Sequence, residues 1–254
     1  DLKKAIKNWL HNVIQSPSNP NSRVLYANTF QPIDRRFSTR VSESEVTAII
    51  EKHKGKLDDS MLDIVSSYAV QALLEGLNEI GDELKKEKDM GVCFQIAIGV
   101  DYFIDKDREI MAFKAYQPRI PKDEEAIWRK YSNIVFEYLV ADEKLQEDFM
   151  DAAKQVPNII VGPWWQGFGS RSIARMVESM VWVSSIKNFA GGISDARYIT
   201  MIGAKGESVR NGLATGLALC VSQGRLPMKV AKQYMNDVLY INPAMVHNIP
   251  LDDL

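Results

Sequence analysis

The residues best suited to chemistry are two arginines at the start of a predicted helix. In the stretch GPWWQGFGSRSIAR, Ser170 is a natural N-cap, Arg171 follows it, and Arg175 lies one turn further on. The positive end of a helix dipole disfavours cations by about 0.3–1 kcal/mol, and like charges four residues apart repel each other. An anion must therefore offset this arrangement. Both a phosphate and an internal carboxylate fit the planar guanidinium group, so the sequence leaves both partners open.

Further basic and aromatic residues extend this pattern along the chain. The residues predicted to bind nucleic acid are Arg35, Arg36, Arg40, Trp164, Arg171, Arg175, Arg197, Lys205 and Arg210. Proteins that bind single strands use such a set, because the cations follow the phosphate backbone while aromatic rings stack on the bases. A double tryptophan after a proline is also typical of an anchored core turn, which is the structural alternative for Trp164.

Other reactive groups are sparse. The 3 histidines lie apart from any cysteine or carboxylate at metal-ligand spacing, which argues against a zinc site or a histidine-activated nucleophile. Gly203 and Gly206 are too close together for a phosphate-binding loop of the GxxxxGK[ST] type. The sequence therefore predicts no catalytic residue, no metal and no cofactor.

Charge is distributed unevenly along the chain. Residues 1–41 carry 7 Lys/Arg and 2 Asp/Glu, residues 42–154 carry 15 and 25, and residues 155–240 carry 9 and 4. An acidic middle between basic flanks favours an anion-binding face or association between opposite poles. Acidic helices that merely keep the protein soluble are the alternative.

Cysteine usage and hydropathy indicate the compartment. Cys93 and Cys220 lie in apolar surroundings, so we predict buried free thiols in a reducing environment. No apolar run approaches the roughly 18 residues of a membrane helix. These features predict a cytoplasmic location, with the interior of a virion as a second option.

The elements that must position these groups are mainly helical. A capping box at Ser42 and Glu45 predicts one helix start, and a second helix is expected to begin near residues 58–60. Further helices are predicted over 122–139, 142–156, 170–189, 194–202, 207–223 and 227–240. One β-hairpin is predicted over 91–116, with its turn at 105–108. Gly212 and Gly216 lie one turn apart and predict close helix packing.

These elements predict a mainly α, two-lobed protein with one β-hairpin and extended N- and C-terminal arms. Residues 1–41 are assigned to an N-terminal helix and extended arm, and residues 42–160 to an acidic helical lobe that holds the hairpin. Residues 161–240 form the predicted basic helical lobe, and residues 241–254 the C-terminal arm. The glycines and proline around the double tryptophan mark the expected crossing between the lobes.

In general character the chain resembles viral nucleoproteins, although it carries no diagnostic motif of them. The resemblance implies a self-assembling RNA-binding protein of nucleocapsid or coat type that is not an enzyme. Its expected partners are single-stranded RNA or DNA and further copies of itself, linked through the terminal arms, with no membrane partner. The pI of 6.0 argues against this function, because nucleic-acid-binding domains often exceed about 9.

Two other classes of function stay open. One is an enzyme that holds a phosphorylated or carboxylated small substrate at an arginine site between the lobes. Its acid, base or nucleophile would have to come from Ser194, Asp195, Tyr198 or Glu207. The other is a helical scaffold or adaptor whose arginines form internal salt bridges.

Overall fold

A computed structural model describes residues 4, 5, 8, 26–30, 41–54, 56–88, 91–98, 100–105, 110–115, 124–140, 143–163, 170–183, 186–189, 199–247, 249 and 251. Most of these residues are helical, which confirms the mainly α prediction. A parallel sheet, which the sequence analysis does not predict, lies among the helices.

The sheet contains four parallel strands. The chain also forms a separate two-stranded antiparallel hairpin. The sheet strands are β1 Tyr26–Phe30, β2 Val92–Ile98, β5 Ile134–Val140 and β6 Ile159–Pro163, in the order β1-β2-β5-β6. The hairpin strands are β3 Val100–Asp105 and β4 Ile110–Ala115, which confirms the predicted hairpin, while residues 106–108 of its predicted turn lie outside the described residues. Because all four sheet strands run parallel, their carboxyl ends lie at one edge.

Helices surround the sheet. They are α1 Glu43–His53, α2 Asp59–Lys88, α3 Glu124–Lys130, α4 Glu143–Gln155, α5 Ser170–Val183, α6 Ile199–Ser222, α7 Met228–Asn236 and α8 Asn242–Val246. The Ser42 Oγ accepts a hydrogen bond from the backbone N–H of Glu45 at 3.3 Å, as the capping box predicts. Within the described part of the chain, no helix has the length and apolar character needed to cross a membrane.

One face of the sheet carries the hydrophobic core. Phe94 and Phe136 point to this face, and α2 and α4 supply much of its cover. The indole N–H of Trp128 donates to the Tyr138 hydroxyl at 2.7 Å, and the Tyr138 ring stacks on Phe149 with centroids 4.3 Å apart. One continuous core extends from α2 to the segment after α7, so the packing does not support the predicted division into two lobes. The segment boundaries at 41, 160 and 240 stay predictions.

Helices α5 and α6 pack with their backbones in close approach. A Cβ atom on Gly212 would lie 2.6 Å from the Cβ of Ile173, and one on Gly216 would lie 2.6 Å from the carbonyl oxygen of Ala174. This finding confirms the close packing predicted from the two glycines. The sequence also predicts a break near Gly203 and Gly206, which is wrong because α6 runs through both. Their propensity cost of about 1 kcal/mol each does not interrupt the helix.

Two predicted elements differ from the structure in type. The sequence predicts a single helix over 122–139, but the helix ends at Lys130 and Ile134–Val140 forms β5. The segment predicted as the first arm of the hairpin forms two strands. Val92–Ile98 pairs with β1 and β5 in the sheet, and only Val100–Asp105 pairs with β4 in the hairpin. Apolar runs buried on both faces of a parallel sheet lack the alternation that identifies a strand, which explains both differences.

The predicted terminal arms are also corrected. Residues 242–246 are helical, with Asn242, Ala244 and Val246 buried against the body, so this segment is not an extended arm. Pro243 has no N–H to donate, and the preceding Asp237–Ile241 segment takes π-helical bonding. At the other end, Tyr26–Phe30 is a sheet strand, while most of the predicted N-terminal arm lies outside the described residues.

Candidate functional site

The second face of the parallel sheet carries buried polar side chains. Four buried polar or charged side chains occur among the described residues: Gln95, Glu137, Gln146 and Asn242. Gln146 and Asn242 have structural roles. The Gln146 amide nitrogen donates to the Val140 carbonyl oxygen at 2.7 Å, and the Asn242 amide nitrogen donates to the Phe189 carbonyl oxygen at 2.8 Å. Gln95 and Glu137 instead contact each other across two strands, which identifies them as the candidate site.

The strand register brings this pair together. Gln95 on β2 lies directly beside Glu137 on β5, and Asn28 on β1 occupies the next register position. The Gln95 Nε2 donates to Glu137 Oε2 at 3.0 Å. The Cys93 thiol, two residues before Gln95 on the same face, donates to the same oxygen at 3.8 Å. Both donors therefore hold one oxygen of the carboxyl group.

The other carboxyl oxygen is different. Glu137 Oε1 is buried and has no hydrogen-bond partner in the part of the chain that the structure describes. Glu137 itself has 0% of its surface exposed, so this oxygen lies away from bulk solvent. An unpaired buried polar group costs roughly 1–3 kcal/mol, which makes this oxygen the feature of the sheet that most needs an explanation.

Burial also changes how Glu137 ionises. Burial raises the pKa of Glu137 from 4.5 to about 7, although the hydrogen bonds from Gln95 and Cys93 act in the opposite direction. Burial and the neighbouring Glu137 raise the pKa of the Cys93 thiol well above its ordinary value, so this thiol stays protonated. A carboxyl group that exchanges its proton near neutral pH is a candidate acid or base, since perturbed pKa values cluster at functional sites.

The sequence contains one indication that Glu137 is unusual, and the predicted helical periodicity of this region obscures it. It is the only charged residue in the run IVFEYLV, and a glutamate inside an apolar strand is either exposed to solvent or buried with a polar partner. Reading residues 122–139 as one helix hides this signal, because a helix can turn a polar position toward solvent. The partner Gln95 lies 42 positions earlier, and a single sequence does not reveal such a contact.

The structure describes four of the predicted nucleic-acid-binding residues, and they lie on α5 and α6, which pack against each other. Arg171 and Arg175 lie exposed on α5, while α6 carries the exposed Arg210 and the half-buried Lys205. The remaining predicted residues lie outside the described residues: Arg35, Arg36, Arg40, Trp164 and Arg197.

Arg175 lines a polar groove between α4 and α5. The groove has a volume of about 230 Å³, and the carboxylates Glu147 and Glu178 also line it. The Ser179 hydroxyl donates to Glu147 Oε1 at 3.4 Å within the groove. These carboxylates favour the internal-carboxylate alternative for Arg175, since their charge opposes a phosphate here. Elsewhere in the described residues, no three His, Cys, Asp or Glu side chains are grouped as metal ligands.

The fold and the buried Gln95–Glu137 pair together describe a parallel β/α protein with a titratable group inside its sheet. No family model matches the chain. The uronate isomerase of Thermotoga neapolitana is 30% identical over 95 residues, which cover 36% of this chain and 20% of that protein. The uronate isomerase of Thermotoga petrophila is 28% identical over 92 residues, with the same two coverages.

Solved structures of uronate and glucuronate isomerases are similar to the chain over more of its length. The crystal structure of uronate isomerase from Thermotoga maritima has a TM-score of 0.74 at 18% identity, over 88% of this chain and 49% of its own. Glucuronate isomerase from Caulobacter crescentus has a TM-score of 0.74 at 14% identity, over 98% of this chain and 52% of its own. The chain therefore has their fold and spans about half the length of these solved proteins.

These comparisons overturn the predicted function. The similar proteins are sugar-acid isomerases and not nucleoproteins, so the nucleocapsid function and the prediction that the chain is not an enzyme are wrong. The predicted RNA or DNA partner, the assembly through terminal arms and the virion location depend on that function and are withdrawn with it.

Proposed function

We propose that the protein isomerises a sugar acid of the uronate class, with the substrate bound at the carboxyl edge of the parallel sheet. The observation that carries the proposal is the agreement between sequence and structure, since the curated relatives and the solved neighbours are the same kind of enzyme. Ligands of parallel α/β sheets bind outside the carboxyl ends of the strands, which supports this location.

The candidate site supplies chemistry that suits this reaction. A fold alone hosts many activities, so the proposal also needs a group at which protons can move. Isomerising a sugar relocates hydrogen within one molecule, which requires a group that accepts and returns a proton. Glu137 titrates near neutral pH inside the sheet, and it is therefore included in the proposal as a site residue.

One alternative from the sequence is an enzyme that acts on a carboxylated small substrate. A uronate carries a carboxylate and therefore fits that alternative. The structure offers less support for Arg175 as the residue that holds the substrate carboxylate, because Glu147 and Glu178 line the same groove. The roles of the other predicted basic residues, and a cytoplasmic location, stay predictions.

The direct test is an isomerisation assay on the full chain. The chain is incubated with D-glucuronate, and proton NMR follows the appearance of an isomer of the same composition. D-Glucose is the matched control, because it has a hydroxymethyl group where glucuronate has its carboxylate. We expect conversion of the uronate and none of glucose. Absence of both conversion and saturable glucuronate binding would overturn the proposal.

A further inference from the structure

Glu137 is enclosed by its neighbouring strands and by helix α8. On β6, Ile160 occupies the register position directly beside Glu137. On β2, the Cys93 thiol donates to Glu137 Oε2 at 3.8 Å. Val246 of α8 belongs to one buried hydrophobic cluster with Cys93 and Ile160. The residues that flank the carboxyl group on both sides are therefore the ones on which α8 packs.

Helix α8 is attached differently at its two ends. At its first residue, the Asn242 side chain is buried and its Nδ2 donates to the Phe189 carbonyl oxygen at 2.8 Å. At its last residue, Val246 packs in the small cluster with Cys93 and Ile160, which is separate from the main hydrophobic core. Separation of Val246 from the sheet therefore leaves the main core intact.

An ionised Glu137 conflicts with this closed arrangement. The side chain is completely buried, and its Oε1 has no hydrogen-bond partner among the described residues. Gln95 and Cys93 both donate to Oε2, so they stabilise only one oxygen of the carboxylate. A buried charge with an unpaired oxygen is costly, whereas water would supply donors to that oxygen. Loss of the proton therefore favours any state in which water reaches Glu137.

The other titratable groups described around Glu137 behave differently. Strand β6 contributes Ile160, which does not titrate. Burial and the neighbouring Glu137 raise the pKa of the Cys93 thiol, so it stays a neutral donor. His247 follows Val246 at the end of α8, and burial lowers its pKa. Because acid and not base charges His247, its effect on α8 runs with pH in the opposite direction to that of Glu137.

We propose that α8 is a pH-dependent cover: as Glu137 ionises, Val246 detaches more often from Cys93 and Ile160, and water reaches the carboxylate. The inference goes beyond the proposed function and does not depend on it, because it involves no ligand. Burial raises the pKa of Glu137 from 4.5 to about 7, which sets the pH range. Since detachment restores ordinary ionisation, Glu137 is expected to raise the equilibrium constant for opening roughly tenfold between about pH 6 and about pH 8.

Amide hydrogen exchange followed by NMR at about pH 6 and about pH 8 tests the cover in the parent chain. The His247 N–H reports on α8, because it donates to the Pro243 carbonyl oxygen at 2.9 Å and so short a helix is not stable once detached. The Arg225 N–H is the control, since it donates to the Cys220 carbonyl oxygen at 2.9 Å in the turn after α6. After correction for the intrinsic effect of pH on exchange, His247 is expected to lose protection as the pH rises and Arg225 to keep it.

Glu137→Gln separates the carboxyl group from His247, which both chains retain. Over this range the parent is expected to lose roughly tenfold more protection at His247 than Glu137→Gln does. Glu147→Gln makes the same chemical change at an exposed position on α4 and is expected to behave like the parent. Equal changes at His247 and Arg225 in the parent, or equal losses at His247 in the parent and in folded Glu137→Gln, overturn the cover. If Glu137→Gln does not fold, the comparison of His247 with Arg225 in the parent still decides.

Discussion

Gly212 of α6 lies directly against Ile173 of α5, at a distance that excludes any side chain. A Cβ atom at position 212 would stand 2.6 Å from the Ile173 Cβ and 2.7 Å from the Ser170 carbonyl oxygen. Gly216, one turn later, meets Ala174 and Val177 in the same way. The two helices are therefore held together along a glycine-lined contact rather than by interdigitating large side chains.

We predict that Gly212→Ala and Gly216→Ala each destabilise the chain by a net amount of up to about 2 kcal/mol. Overpacking of this kind costs about 1–3 kcal/mol, which exceeds the helix propensity that alanine gains over glycine. Urea unfolding followed by circular dichroism measures the change.

The same helix provides a matched control in Gly203. Among the described residues, nothing lies within 4 Å of a Cβ placed on this exposed glycine. Gly203→Ala is therefore expected to stabilise the chain by about 0.5–1 kcal/mol through propensity alone. Equal unfolding midpoints for Gly203→Ala and Gly212→Ala would contradict the close packing.

Such local features explain what the sequence could predict. The cap at Ser42 depends on residues within one turn, and the glycine spacing of α6 repeats along one helix face, so both can be identified without the fold. The hairpin is local as well, since β3 and β4 lie only a few positions apart in the sequence. Each of these patterns is complete within a short stretch of the chain.

The parallel sheet depends on information that a single sequence does not contain. Its pairs join distant positions, such as Tyr26 with Cys93, and strands buried on both faces have no polar alternation. Helical periodicity in residues 127–139 is therefore compatible with the sequence although β5 occupies half of that range. The site depends on the same pairing, because Glu137 acquires its partner only when β2 and β5 lie side by side.

A second prediction concerns Asn158, which joins three backbone segments. Its Nδ2 donates to the carbonyl oxygens of Trp128 at 3.1 Å, Tyr131 at 3.3 Å and Ile134 at 2.9 Å. Asn158→Asp has nearly the same shape but replaces this donor with an oxygen that repels the carbonyls. We expect a loss of about 2–4 kcal/mol in the free energy of unfolding, because several acceptors lose their donor.

Exposed Asn211 serves as the control for this change. Asn211→Asp alters the same group on the solvent side of α6, where substitutions usually stay within about 0.5 kcal/mol. Thermal unfolding of both variants gives the comparison. A loss below about 1 kcal/mol in Asn158→Asp would show that these hydrogen bonds contribute little to the connection between α3 and β5.

A third prediction concerns the two cysteines, which are free and buried as the sequence predicts. Burial raises the pKa of both thiols, and a protonated, inaccessible thiol does not attack a disulfide reagent. Ellman's reagent is therefore expected to modify neither Cys93 nor Cys220 in the native chain within minutes, and both after denaturation. Rapid modification in the native state would contradict the burial of the modified residue.

The last prediction is a pH dependence of stability that comes from Glu137. Folding raises its pKa from 4.5 to about 7, so the folded chain favours the protonated form. The contribution of Glu137 to stability is complete below its unfolded pKa and is lost as the pH rises through its folded pKa, by an amount on the order of 3 kcal/mol. The Cys93 thiol in contact with it stays protonated over this range and adds no opposing change.

Glu137→Gln separates this effect from all other titrations, because glutamine carries no charge at any pH. The stability of Glu137→Gln relative to the parent chain is therefore expected to increase from about pH 5 and to level off above about pH 8. Urea unfolding of both chains at a series of pH values measures this difference, with exposed Glu147→Gln expected to follow the parent profile. A difference between Glu137→Gln and the parent that stays constant with pH would mean that Glu137 is ionised throughout, and the buried, oriented carboxylic acid would have to be abandoned.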